Sequence, residues 1–376
     1  MPLTQIPTGM FEDNSVTSAK LSADLRNQTP AFKNRIINGD MRIDQRNAGA
    51  SVTPTTSAQA FAVDRTSTIV SQNSKLTVQQ NAGSVTPPAG FTNYLGATSS
   101  SAYSVLTSDY FNFNQTIEGF NIADLGWGTA NAQTVTLSFW IRSSLTGTHS
   151  GSLRNGAANR SYVFSFSVSS ANTWEQKTIT IAGDTSGTWQ TGNGAGMFVS
   201  FNLGAGSTFA TTAGAWVAGN FIGATGSVNV VGTNGATFYV TGVQLEEGVV
   251  STNFDVRPYG TELSLCQRYF ETSYEAGNAV GSTANPSRSI AWLAQATANY
   301  NNQRVNFSVY KRSDPTIVLL NPATGTVSQV RNLDANTNLA GTVSFTSVTG
   351  FLGYVNNVSV TVGVSLGYHY TASSEL

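Results

Sequence analysis

His149 and His369 are the only imidazoles in the chain, and they lie far apart in sequence. Neither falls in a spacing such as H-x-x-x-H, so no metal-ligand motif is present. The single cysteine, Cys266, has no histidine near it and falls on an apolar stripe, which makes it a poor nucleophile. Cleaving a glycosidic bond would need two carboxylates facing across it. Asp184, Glu118, Glu175 and Asp314 are available, but no spacing pairs them, and each reads as an ordinary turn or surface acid. The glycine-rich loops lack G-x-x-x-x-G-K-S/T and read as β-turns rather than phosphate cradles. Asp184 and Glu246 are the acids within reach of a structural calcium, and two acids are not a site. The sequence therefore calls for no catalytic residue, no metal and no cofactor.

Binding is better served. Aromatic faces stack on sugar rings while amides and hydroxyls bond their hydroxyl groups. Trp292, Tyr300, Asn301, Asn302, Tyr354, Asn356 and Asn357 lie on or beside polar loops of the C-terminal third and are the candidate receptor-binding residues. The stronger reading for most of these aromatics is core or intersubunit packing. Trp140 falls on the polar face of its strand, at a surface or an interface. Arg257 and Arg268 recur with Glu246, Glu247, Asp255 and Glu262 in a chain poor in charge. A pair of Arg257 or Arg268 with Glu246 or Glu262 would fix a sandwich to the segment that follows it, since a guanidinium suits a bidentate, partly buried carboxylate. The rival reading is a solvated cluster worth under about 1 kcal/mol.

The elements that must position these residues are β. Val135, Leu137, Phe139 and Ile141 alternate with Thr136, Ser138, Trp140 and Arg142, and Tyr162, Phe164, Phe166 and Val168 repeat the pattern. Phe238 to Leu245 reads as a strand that bulges near Gly242, where the alternation slips. Many short strands with Gly, Asn and Thr turns indicate a jelly-roll sandwich. Leu263, Cys266, Tyr269 and Phe270 share one face of a short helix, with Thr261 as its cap and Glu262 in its first turn. The last strand carries Val358, Val360, Val362, Val364, Leu366, Tyr368 and Tyr370 on one face. Its other face, Ser359, Thr361, Gly363, Ser365, Gly367 and His369, is small enough for sister chains to approach, or for solvent to cover. The fold class is all-β: a jelly-roll β-sandwich at 32–258, a connector helix at 259–273 and a smaller β-sandwich at 274–376. An extended segment at 1–31 precedes them, too polar to fold alone and in need of a partner.

Composition narrows the partners. Lys plus Arg number 19 and Asp plus Glu 20, a net charge of −1. With no basic run, nucleic acid is not expected. Only 10% of residues are charged, against roughly 25% in an ordinary globular chain. Ser, Thr, Asn and Gly take their places, as suits β-proteins that stack on their own copies or meet neutral sugars. One cysteine allows no intrachain disulfide. No apolar run approaches the roughly 20 residues of a membrane helix. The start Met1-Pro2-Leu3-Thr4-Gln5 is not a secretory signal.

Several stretches resemble one family, the tail fibre or appendage proteins of tailed bacteriophages, including those of marine cyanobacteria. Asn34-Arg35-Ile36-Ile37-Asn38-Gly39-Asp40-Met41-Arg42-Ile43-Asp44-Gln45-Arg46 resembles the opening N-x-I-I-N-G-D/N-M-x-I-x-Q-R. Phe61-Ala62-Val63-Asp64-Arg65 resembles Y-x-x-D-R, with Phe for Tyr. Thr136 to Ser144, Trp174-Glu175 and Gly183 to Trp189 resemble strands of a carbohydrate-binding-module-like jelly roll in such fibres. Thr241 to Gly248, then Thr252 to Phe270, is the most specific match, and Gly367 to Leu376 resembles the family's ending. Residues 9–25 loosely resemble the D-G-S-V-T-x-x-K-L segment of trimeric fibres, with Asp13-Asn14 for Asp-Gly. Little in 271–357 matches.

The resemblance implies a homotrimer of the virion tail. Its N-terminal segment would bind other tail proteins and its C-terminus would face the host. The implied function is a non-enzymatic tail fibre subunit that attaches to host surface glycan or lipopolysaccharide, with no membrane insertion. A structural adaptor or shaft that touches only virion proteins is the alternative, and a glycan-cleaving tailspike the third.

Overall fold

The residues described in this computed structural model are 33–283, 289–295, 301–355 and 360–376; the segment 1–31 lies outside them. Alternation does what it should in the first half. Val135, Leu137, Phe139 and Ile141 are fully buried on one face of the strand Val135–Ser143. Trp140 points the other way, half-buried, opposite Thr241 and Gln176. This strand lies in a five-stranded antiparallel sheet in the order Leu76–Gln80, Leu95–Ser99, Thr237–Glu247, Val135–Ser143 and Glu175–Ile181. Against it lies a seven-stranded sheet, ordered Ala60–Phe61, Thr66–Val70, Tyr110–Glu118, Ala195–Ala205, Gly147–Asn155, Arg160–Val168 and Trp216–Ala218.

Side chains from the two inner faces form one core: Phe111, Phe113, Phe164 and Phe201 on one side, Phe139, Phe238 and Val240 on the other. Burying each such aromatic removes enough apolar surface to contribute roughly 2–3 kcal/mol. The bulge near Gly242 is present as a register shift between Thr241 and Gln244. Gly242 has φ +60, and the Phe91 ring stands 2.6 Å from where a Cβ would be, so both the turn and the close approach demand glycine.

The helix is shorter than its apolar stripe. It spans Tyr259–Gln267, entered from Pro258 at φ −54, and Thr261 lies inside it rather than capping it. Glu262 does sit in its first turn, buried. The stripe runs on to Phe270 in sequence, but the chain turns at Arg268 and Phe270–Thr272 becomes a strand paired with Thr371–Ser373. Sheet pairing overrides a helical spacing that only two aromatics supported.

The C-terminal part is a second, curled antiparallel sheet. Its hub is Ser365–Ser373, which pairs with Phe270–Thr272, Ile290–Leu293, Thr316–Leu320 and Gln329–Asn332. Thr337–Ser347, Gly350–Val355 and Asn301–Asn306 continue the sheet from Gln329–Asn332. Leu366, Tyr368 and Tyr370 enter a core with Phe351, Leu319 and Val330. The long alternating strand anticipated from Val358 begins only at Ser365, because Val362-Gly363 forms a turn, with Gly363 at φ +87. Of its small face, Gly367 and His369 are covered by their own chain, while Thr361 and Gly363 are exposed and Ser359 lies outside the described residues. His369 stacks on Tyr274 with ring centroids 4.0 Å apart, its Nδ1 lies 3.0 Å from Ser273 Oγ, and Gly367 backs onto Ser289 and Leu333.

Candidate functional site

The opening segment, Phe61 to Arg65, Thr252 to Phe270 and the ending, four of the stretches that resemble fibre proteins, converge on one buried junction between the two β-units. The opening segment is laid along the strand Thr237–Glu247. Arg35 N–H donates to the Leu245 carbonyl, and Asn34 Oδ1 accepts from Ile36 and Leu245 amides. Asn38 then holds the turn that follows: its amide side chain donates to the Ile43 and Asp64 carbonyls and accepts from Ile43 N–H. Gly39 passes so close that a Cβ would stand 2.2 Å from the Val243 carbonyl oxygen.

Charges close the junction. Arg46 Nη1 lies 2.7 Å from Asp64 and its Nη2 2.8 Å from Glu375, with the guanidinium between the rings of Phe61 and Phe270. Arg65 pairs with the same Glu375, donates to the Thr116 carbonyl at 2.6 Å and stacks 3.5 Å above the Tyr269 ring. Arg257 lies 3.4 Å from Glu262 and 3.2 Å from Asp255, and donates to the carbonyls of Asn34 and Ile36. The Asn38 amide donates to Glu262 as well. Ile37, Ile43, Cys266 and Tyr269 fill the space beneath, with Leu376 packed against them. The chain's last residues therefore return to the junction.

Two anticipated partners are exchanged for others. Arg268 meets neither Glu246 nor Glu262; both its Nε and Nη2 donate to Glu118, and Tyr269 O–H donates to Glu118 at 2.7 Å. Among the described residues Glu246 meets no arginine. It accepts from Thr252 N–H at 2.9 Å, Thr252 Oγ at 2.6 Å and Gln244 Nε2 at 2.8 Å, closing the loop that follows its own strand. Burial pushes the Cys266 thiol well up, consistent with a packed, apolar role.

Of the other acids weighed for chemistry, Asp314 is exposed, and Asp184 and Glu175 are engaged locally. Asp184 takes both Nε and Nη2 of Arg160, at 2.8 and 2.7 Å, and caps Ser186 N–H. Glu175 accepts from the Ser169 and Ser170 amides and pairs with Lys177. His149 is buried among Phe166 and Phe238, with Nε2 3.0 Å from the Leu145 carbonyl, and burial lowers its pKa. Among the described residues no group of three or more His, Cys, Asp or Glu is placed to hold a metal ion.

The candidate receptor residues divide. Tyr300, Asn356 and Asn357 lie outside the described residues. Trp292 turns inward, its ring edge-on to Tyr368 at 5.4 Å and packed against the second core. Asn301 is buried and accepts from the Gln295 amide at 2.8 Å. Asn302 and Tyr354 come together: antiparallel register sets Asn302 opposite Tyr354 and Tyr354 opposite Thr342. Asn302 and Thr342 are exposed and Tyr354 is half-buried. The next row two residues on is Arg304, Leu352 and Ser344. This sheet face is polar, nearly neutral and centred on one aromatic ring. Period two along Asn301–Asn306 could have separated Asn301 from Asn302, had the strand been recognised to start there.

No protein-family profile matches the chain, and no curated protein matches it. Solved structures align over little more than half of it. The enzymatically active domain of tailspike protein 4 of bacteriophage CBA120 covers 58% of this chain at 12% identity and a TM-score of 0.31. This chain spans only 22% of that domain's length. A sugar-binding protein from Bacteroides thetaiotaomicron aligns over 57% of this chain and 100% of its own, at 11% identity and a TM-score of 0.31. A CBM4 carbohydrate-binding module aligns over 56% and 98%, at 15% identity and a TM-score of 0.28. Scores this low carry no weight for function.

Proposed function

We propose that this chain is a non-catalytic subunit of a bacteriophage tail fibre, assembled as a homotrimer, that meets a glycan or lipopolysaccharide of the host surface. The observation that carries the reading is where the fibre-like stretches go. Asn34 to Arg46, Asp64-Arg65, Arg257 to Tyr269 and Glu375 are spent together on a buried clamp between two β-units. Residues devoted to holding one β-unit rigidly on another suit a part that transmits contact. The contact surface in this reading is the sheet face around Asn302, Tyr354 and Thr342, where a ring, an amide and a hydroxyl stand in one row. Threefold assembly rests on the resemblance, since Gly367 and His369 of the last strand are covered by their own chain.

A second reading, an adaptor that binds only virion proteins, draws support from apolar side chains left outside on the C-terminal unit. Leu293, Tyr310, Val327, Phe345 and Val362 are all more than half exposed. The test is binding of the purified chain to an array of bacterial lipopolysaccharides and neutral polysaccharides, with mass by light scattering on the same sample. A trimer that binds at least one glycan is the expected result. A trimer that binds none moves the assignment to the adaptor, a stable monomer removes the threefold assembly, and release of shortened glycan removes the non-catalytic reading.

A further inference from the structure

Trp140 stands apart from the other tryptophans. Trp127, Trp189 and Trp216 pack edge-on against one another, Trp174 against Tyr94 and Trp292 against Tyr368. Among the described residues Trp140 meets no other ring, and its indole N–H has no acceptor. It lies half-buried on the outer face of the five-stranded sheet, in a row between Gln176, which is exposed, and Thr241.

The rows on one side of it are roofed by the chain after Glu247. Thr136 Oγ donates to the Gly248 carbonyl at 2.8 Å, Thr180 Oγ to the Val249 carbonyl at 3.3 Å and Thr178 Oγ to Ser251 Oγ at 3.2 Å. On the other side Arg142 stands opposite Tyr239. Its guanidinium carbon lies 5.5 Å from the centre of the Tyr239 ring, and among the described residues it makes no ion pair and no hydrogen bond. Tyr239 is 4% exposed and packs on Tyr94, yet its hydroxyl has no partner either. A Cβ on Gly83 would stand 2.8 Å from that hydroxyl, so glycine keeps the space beside it clear.

No acid answers these donors. Glu175 lies opposite the inward Ile141 and is taken by Lys177 and the Ser169 and Ser170 amides. Glu246 is two rows from Trp140 on the side away from Arg142, closed over by Thr252. One patch therefore holds an open indole face, an indole N–H, a phenol, an amide and an unpaired guanidinium. The ring and the amide suit a sugar. The unmatched fork of the guanidinium suits a carboxylate. Same-face residues are about 7 Å apart along a strand and about 5 Å apart across strands, so one sugar residue reaches from Trp140 to Arg142.

We propose that this outer face is a binding site for an acidic sugar, a uronic acid residue of a polysaccharide, with its ring on Trp140 and its carboxylate on Arg142 and the Tyr239 hydroxyl. The ligand class rests on the reading of the chain as a glycan binder; the site rests on its unpaired groups. It is a different place from the face around Asn302 and Tyr354.

Calorimetry of the intact chain with oligomers of galacturonate, mannuronate and hyaluronan, against dextran of matched length, tests the site. At least one acidic oligomer should bind, more weakly as salt is raised, and dextran should not. Arg142→Gln should melt as the wild type does and bind about tenfold more weakly, the scale of a lost charge-assisted bond. Arg142→Lys, which keeps the charge without the fork, should recover only part of that loss. Trp140→Ala should weaken binding similarly, and Tyr354→Ala should leave it unchanged. Affinity for acidic oligomers that survives both Arg142→Gln and Trp140→Ala removes this site; if Tyr354→Ala then weakens it, the fibre reading stands without the site. Failure to bind any acidic oligomer overturns the acidic-sugar assignment. A trimer that Trp140→Ala alone turns to monomer would give this face to a second copy of the chain instead.

Discussion

Arg268 and Glu118 form a two-point ion pair across 150 residues of sequence: Nε lies 2.9 Å from Oε2 and Nη2 2.6 Å from Oε1. Glu118 ends an interior strand of the first sandwich and Arg268 ends the helix, so the pair bolts the helix exit to that strand's end. Glu118 is 1% exposed on its side chain whereas Arg268 is 33% exposed. The carboxylate is thus the member that cannot recover hydration elsewhere. Tyr269 adds a third bond to it, which strengthens the set beyond an isolated pair.

Removing that carboxylate should cost more than removing a surface acid. Glu118→Ala leaves a guanidinium and a phenol without their acceptor, at about 3 kcal/mol. Urea denaturation followed at the tryptophans would read the loss. A change under about 0.5 kcal/mol would place the pair among solvated contacts.

Gly39 tests the fit of the opening segment. Its φ is ordinary, so alanine would not strain the backbone there; the penalty is the Val243 carbonyl oxygen, 2.2 Å from the new methyl. Backbone cannot rotate away as a side chain can. Gly39→Ala should lose about 2 kcal/mol and shift the exchange of Val243 N–H, which donates to the Gly39 carbonyl. Wild-type melting would mean that the segment relaxes freely from the strand.

How much of this was legible depended on distance in sequence. The period-two runs at Val135–Ile141 and Phe164–Val168 reported their own buried faces, because alternation is a local record of which side meets the core. The slip at Gly242 was equally local. Arg268 could be seen to need a carboxylate, but Glu118 stands 150 residues away and nothing in either neighbourhood points to the other. Of the two nearby acids, Glu262 does pair, with Arg257, whereas Glu246 is used to close its own loop. Phe270 extended a helical stripe that the pairing with Ser373 cuts short. The small face of Gly367 and His369 looked open because its cover, Tyr274 and Ser273, comes from almost a hundred residues upstream.

Lys311 and Glu271 make the deepest pair of the C-terminal unit, their side chains 0% and 3% exposed. Glu271 also accepts from Tyr370 O–H and from the Ser308 amide and hydroxyl. Burial lowers the Lys311 pKa, against the pull of Glu271. Lys311→Met should cost about 3–5 kcal/mol, because the carboxylate stays behind without its cation. Adding Glu271→Gln should return part of that loss, since an amide still accepts from Tyr370 and carries no charge. A double mutant as weak as the sum of the two singles would show that the pair does not act as a unit.

Tyr354 and Trp292 separate recognition from packing. Both are aromatic, both lie beside polar sequence, and composition treats them alike. The sheet does not. Trp292 sits on the strand Ile290–Leu293 with its ring against Tyr368, half-buried and packed against the second core. Tyr354 sits between Asn302 and Thr342 on the opposite side of its strand from the buried Phe351 and Val355. Trp292→Ala should therefore lower stability by about 3 kcal/mol, as emptying a core ring does. Tyr354→Ala should change stability by under about 1 kcal/mol, the ordinary range for a surface position. Glycan binding by Tyr354→Ala should fall by about tenfold or more if the ring stacks on sugar, the scale of one well-placed aromatic contact. The two measurements belong on the same preparation. Binding that survives Tyr354→Ala while folding is intact would remove this sheet face from the contact and turn the search to the exposed side chains of Phe345 and Tyr310.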